Sequence, residues 1–75
     1  MRYELWLKDN GGTTFLHVSD DPGELYVMFK DALRVYPKED LILTVSERDS
    51  EVYIIDVVWL QRAVLKQNRE RTPVQ

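Results

Sequence analysis

Residues 2–19 read RYELWLKDNGGTTFLHVS, two alternating stretches joined at Asn10-Gly11, and the way they pair decides what the rest of the chain must cover. Asn-Gly is suited to the two positive-φ positions of a type I′ turn, which predicts a hairpin of residues 2–8 with residues 13–19. In that register one face carries Tyr3 opposite Val18, Leu5 opposite Leu16 and Leu7 opposite Thr14. The other carries Trp6 opposite Phe15, beside Glu4 opposite His17. Successive strand residues point to opposite faces, so both faces of this hairpin are largely apolar. An apolar patch left uncovered on the second face would mark a contact site.

Downstream, Asp21-Pro22-Gly23-Glu24 places an N-cap, a proline at the first helical position and a carboxylate three residues after the cap. Leu25, Met28, Phe29, Ala32, Leu33 and Tyr36 follow at spacings of three and four, one apolar stripe that Pro37 ends. Lys30, Asp31 and Arg34 lie off the stripe and are expected in water.

Residues 41–46 and 51–55 are rich in β-branched and aromatic side chains, and residues 47–50 between them read as a turn. This second hairpin sets Leu43 against Ile54 and Val45 against Val52 on one side, with Ile42 against Ile55 and Thr44 against Tyr53 on the other. From Asp56 the pattern changes, because Val57, Val58, Trp59, Leu60, Ala63, Val64 and Leu65 cannot share one helical stripe. Either the strand runs on to about Leu60, or Asp56 caps a helix that is apolar almost all round at its start. The helix formers that dominate residues 60–71 favour the cap. Residues 72–75 are expected to fray. The expected fold is α+β: one domain over residues 1–75, element order ββαββα, an antiparallel four-stranded sheet made of two hairpins and packed with two helices.

A chain of 75 residues buries only roughly 60% of the surface its unfolded form exposes. With no cysteine it has no disulfide or thiolate metal site to reinforce so small a core, which leaves oligomerisation or a partner as the aid. The lack of cysteine fits a reducing compartment. No stretch approaches the roughly 20 apolar residues of a membrane span, and Met1-Arg2 leads into a strand pattern, so a cytoplasmic protein without membrane contact is expected. The net charge of −3 is uneven: residues 1–60 hold 6 basic and 12 acidic groups, residues 61–75 hold 4 and 1. An acidic body with a basic tail argues against general nucleic-acid binding by the body, but not against a local contact by the tail.

Chemistry is sparse. His17, Glu4 and Ser19 share one predicted face, but a serine at a strand end has neither a strained elbow nor a Gly-rich segment to stabilise an oxyanion. Asp20, Asp21 and Glu24 are explained by capping, and Glu47, Asp49 and Glu51 by solvation at a hairpin tip; neither group has the spacing of a calcium loop. Gly11-Gly12 lacks the spaced glycines and following helix of a phosphate cradle. No motif names a family, and no catalytic residue, metal site or cofactor is expected.

The expected function is therefore that of a non-enzymatic interaction domain, self-associating as a homodimer either through the apolar start of the last helix, at Trp59, or through the aromatic sheet face of Trp6, Phe15, Ile42, Tyr53 and Ile55. A three-layer monomer, with the last helix laid across those residues, is the bland alternative. The rival function is an acidic inhibitor or adaptor, of a kind suited to phages and mobile elements, docking on a basic surface of another protein through Glu39, Asp40, Glu47, Asp49 and Glu51. A third reading has Arg62, Lys66 and Arg69, on one helical face, contacting nucleic acid. Basic residues near a helix C-terminus also oppose its dipole, and that ordinary role is expected here.

Overall fold

The computed structural model describes residues 1–48 and 50–71, with residue 71 described by its backbone alone. The elements run β1 (Arg2–Asp9), β2 (Gly12–Ser19), α1 (Pro22–Ala32), a short 3-10 helix (Lys38–Asp40), β3 (Leu41–Ser46), β4 (Val52–Ile55) and α2 (Val57–Arg71). The four strands form one antiparallel sheet in the order β2-β1-β3-β4, so the protein has an α+β fold. The two hairpins join through their first strands: Arg2 faces Ser46, Leu5 faces Leu43 and Leu7 faces Leu41. The anticipated fray at residues 72–75 lies outside the described residues.

Both hairpin registers depart from the sequence reading, and each departure changes what a face carries. In the first hairpin the pairs nearest the turn hold, with Trp6 opposite Phe15 and Leu7 opposite Thr14. The register then slips between Leu5 and Trp6, so that Leu5 faces His17, Glu4 faces Val18 and Tyr3 faces Ser19. Leu16 is the additional residue, a β-bulge that lets two residues of β2 oppose one step of β1. The pairs Tyr3–Val18, Leu5–Leu16 and Glu4–His17 are thereby overturned. The corner is not type I′ either: the positive φ falls on Gly12, at 129°, while the Asp9 carboxylate accepts the Gly11 N–H at 2.8 Å.

In the second hairpin Ser46 faces Val52, so the connection is residues 47–51, one longer than residues 47–50. Ser50 explains the closure, since its Oγ both accepts the Glu47 N–H and donates to the Glu47 carbonyl, each at 3.1 Å. The longer loop pairs Leu43 with Ile55, Thr44 with Ile54 and Val45 with Tyr53. A slip of one residue flips side chains between faces. Tyr53 and Ile55 move to the side of Leu43 and Val45; Val52 and Ile54 move to the side of Thr44.

The core consists of Tyr3 and Leu5 from β1, Leu43 and Val45 from β3, Leu25 and Phe29 from α1, and Leu60 from α2. These strand residues share one sheet face, so both helices lie on that face, and among the described residues no helix lies over the other. The molecule is 17 Å along its shortest axis, which suits one sheet and one helical layer. The three-layer alternative is thus overturned.

Capping positions each helix. The Asp21 carboxylate accepts the Gly23 N–H at 2.9 Å, and Ser19 Oγ accepts the Asp21 N–H at 2.9 Å while donating to Glu24 at 2.6 Å. The α1 stripe tightens after Ala32, where Arg34 and Val35 donate to carbonyls three residues back and the chain turns before Pro37. Asp56 caps α2 as expected, accepting the Trp59 N–H at 2.8 Å. The helices run antiparallel, for Gln61 donates to the Tyr26 hydroxyl at 3.0 Å and Gln67 lies beside Gly23.

Candidate protein-interaction surface

Alternation along each strand places Trp6, Phe15, Val18, Ile42, Val52 and Ile54 on the face opposite the helices. Phe15 is 44% and Ile54 79% exposed, and Val18 and Val52 are exposed as well. Trp6 and Phe15 meet edge to face, their ring centroids 5.2 Å apart. Thr44 sits in the middle, buried between Glu4 and Ile54, with no hydrogen-bond partner for its Oγ1. Arg2 and Glu4, 3.7 Å apart, lie at one end of the face and Lys8 at the other. The result is an apolar, aromatic surface whose charges are of mixed sign.

Of the six residues the sequence singled out, the structure brings Trp6, Phe15 and Ile42 together here. Tyr53, Ile55 and Trp59 are on the opposite side, where the registers put them. They gather at the β4 edge: a groove of about 360 Å³ is lined by Val45, Tyr53, Ile54, Ile55, Asp56 and Trp59. Trp59 also stands 6.3 Å from the buried Tyr3 ring. Burial, and secondarily the Asp21 carboxylate, push the Tyr3 phenol above its ordinary pKa. Val18, Val52 and Ile54 were missed by the sequence reading because their faces depend on a bulge and a five-residue loop. A clustered Val-Tyr-Ile-Ile run was the available signal, since no register of it can hide every side chain.

His17 meets Glu24 rather than Glu4, with Nε2 to Oε1 at 3.4 Å. Ser19 also points its hydroxyl at Glu24, so the carboxylate stands between serine and histidine and the imidazole receives no proton from the serine. This arrangement ties β2 to the start of α1. Among the described residues no three His, Cys, Asp or Glu side chains gather closely enough to hold a metal ion. No helix among them is long and apolar enough to cross a membrane.

Among the described residues the acidic docking candidates lie at the two ends of β3, Glu39 and Asp40 before it and Glu47 after it. Glu39 and Asp40 are in the 3-10 helix and line a hollow of about 430 Å³ together with Lys8, Asp9 and Tyr36. Glu47 and Glu51 are exposed beside β4, and Asp49 lies outside the described residues. Arg62, Lys66 and Arg69 do share a face of α2, around a shallow hollow of about 190 Å³ with Leu65. That face points to water; the dipole acts within the last turn of α2, so Arg69 is the one of the three placed to oppose it, for about 0.3–1 kcal/mol, while Arg62 and Lys66 solvate the face. Replacing all three by Gln is expected to lower stability by no more than about 1 kcal/mol in denaturant titrations and to leave self-association intact. Salt-dependent retention of mixed DNA or RNA by the natural chain, lost in the triple variant, would reverse this assignment.

No protein-family model matches the chain, and neither a curated protein nor a solved structure matches it. The geometry therefore carries the functional argument alone.

Proposed function

We propose that this chain is a non-enzymatic protein-interaction domain of the cytoplasm that self-associates as a symmetric dimer through its bare sheet face. The observation that carries the reading is that both helices cover one side of the sheet while Trp6, Phe15, Val18, Ile42, Val52 and Ile54 occupy the other. Aromatic side chains are the usual anchors of an interface core. Two such faces stack about 10 Å apart as the halves of a β-sandwich do. The rim suits a second copy of itself, because Arg2 and Lys8 offer cations and Glu4 an anion on the same face. A cysteine-free composition fits the proposed compartment.

Magnitude sets the expected strength. Strands about 4.8 Å apart, rising about 3.3 Å per residue, give a four-stranded face of six residues a plan area of roughly 400 Å². Upright side chains raise the accessible area, yet it stays at or below the roughly 800 Å² per partner of a standard interface. The dimer is therefore expected to be weak, with a Kd in the micromolar range. Light scattering over a dilution series tests it: mass is expected to fall from twice 8.9 kDa towards 8.9 kDa as the protein is diluted through that range. A uniform monomer at every concentration would sink the proposal.

A further inference from the structure

We infer that the free edge of β4, with the aromatic groove beside it, accepts an extended apolar segment flanked by basic residues from another protein, added as a fifth strand. This surface adjoins the bare face at Val52 and Ile54 but is centred on the strand edge and the helix side, and the inference does not rest on self-association. The sheet order leaves two edges, β2 and β4. β2 is interrupted by the Leu16 bulge, which twists an edge away from new pairing. β4 reads Val-Tyr-Ile-Ile, with no proline, lysine or bulge to guard it. Its outward N–H and C=O groups form an open ladder that another strand can satisfy.

Alternate side chains of an added strand need places to go. On the helix side they meet the groove over Tyr53 and Trp59, which are 58% and 39% exposed. A second hollow of about 280 Å³, between Met1, Val45, Glu47 and Tyr53, continues it along the strand. On the other side they lie next to Val52 and Ile54 and extend the bare face. Glu51 and Asp56 bracket β4, Glu47 lines the second hollow, and Arg48 is the one cation among the three carboxylates of residues 47–51, so both ends of the ladder are net acidic. That charge selects a segment with lysine or arginine at its ends.

The same charge disfavours a second copy of β4. Equal copies related by a two-fold axis pair antiparallel only with some residue opposite itself, because hydrogen-bonded and non-bonded pairs alternate along the ladder. Centring on Tyr53 sets Glu51 opposite Ile55, and centring on Ile54 sets it opposite Val57. Either way each Glu51 stands one residue from Asp56 of the other copy, and this happens twice.

The probe is a fluorescein-labelled acetyl-KVTVTVK-amide, followed by anisotropy and by amide NMR of the labelled protein. Binding is expected to shift the amides of residues 51–56 and the Trp59 indole. Tyr53→Lys is expected to weaken binding at least about tenfold without lowering Tm, since the side chain is mostly in water. Replacing both terminal lysines of the probe by glutamate is expected to do the same. Methylating the backbone nitrogens of alternate probe residues removes the donors of one edge: one set of positions is expected to abolish binding and the complementary set to preserve it. No binding at millimolar probe would overturn the inference. So would binding indifferent to both methylation patterns, or shifts centred on Trp6 and Phe15. A monomer that binds the probe removes the dimer and keeps this site; a dimer that does not bind it removes only this site.

Discussion

Leu60→Ala is expected to bring the protein close to unfolding at room temperature. Leu60 is 0% exposed and is the buried residue that α2 contributes to the core, which it shares with Leu25 and Phe29 of α1 and with Tyr3, Leu5, Leu43 and Val45 of the sheet. Truncating a fully buried leucine costs about 2–5 kcal/mol through lost transfer energy and the cavity left behind. At about 0.05–0.15 kcal/mol per residue a chain of this length holds roughly 4–11 kcal/mol in all, and its size argues for the low end. At about 4–8 °C per kcal/mol the melting transition, followed by circular dichroism, should fall by at least about 8 °C. Leu65→Ala is the control, for Leu65 is 57% exposed and its loss should stay within about 0.5 kcal/mol. Equal effects from the two would mean that α2 presents a different side to the sheet, and the bare face would then have to be reconsidered.

Local chemistry was readable in the sequence wherever a single residue dictates it. Asp21 followed by Pro22, and Asp56 ahead of an apolar run, started helices where a carboxylate satisfies a free N–H, and both caps are present. β3 has the bounds its β-branched run predicts, and the α+β order and the two-hairpin sheet follow from the same signals. Register was not readable to the residue. Leu16 bulges and Ser50 closes a longer loop, and neither event leaves a pattern in composition, because Leu16 is apolar on either face and a serine suits any turn. Trp6, Phe15 and Ile42, which lie near the first turn or opposite β1, therefore share the face expected for them, while Tyr53 and Ile55 sit beyond the longer loop and changed sides. The placement of α2 depends on which stripe finds a complementary surface. Leu60 joins Leu25 and Phe29 in the core, Gln61 reaches Tyr26 and Gln67 lies beside Gly23, and this side of α2 was hidden among the surrounding apolar residues until the fold supplied the partner.

Trp6→Ala and Phe15→Ala are expected to abolish self-association at concentrations where the natural chain dimerises, while leaving the fold in place. Each ring anchors the bare face, and truncation of an interface anchor costs on the order of 2 kcal/mol, about thirtyfold in Kd. A dimer already in the micromolar range cannot absorb that loss. The rings touch each other edge to face, so their contributions are coupled and the double variant should lose less than the sum of the two. Folding should suffer less, because Phe15 is 44% exposed and neither ring belongs to the buried core. Sedimentation over a dilution series separates the two effects when read beside thermal melts. The natural chain should melt at higher temperature as its concentration rises, and the variants should not, since only a dimer gains stability by mass action. Tyr53→Ala, on the opposite side of the sheet, should leave the dimer unaffected. Loss of secondary structure in both ring variants, together with a monomeric natural chain, would instead assign Trp6 and Phe15 to holding the sheet itself together.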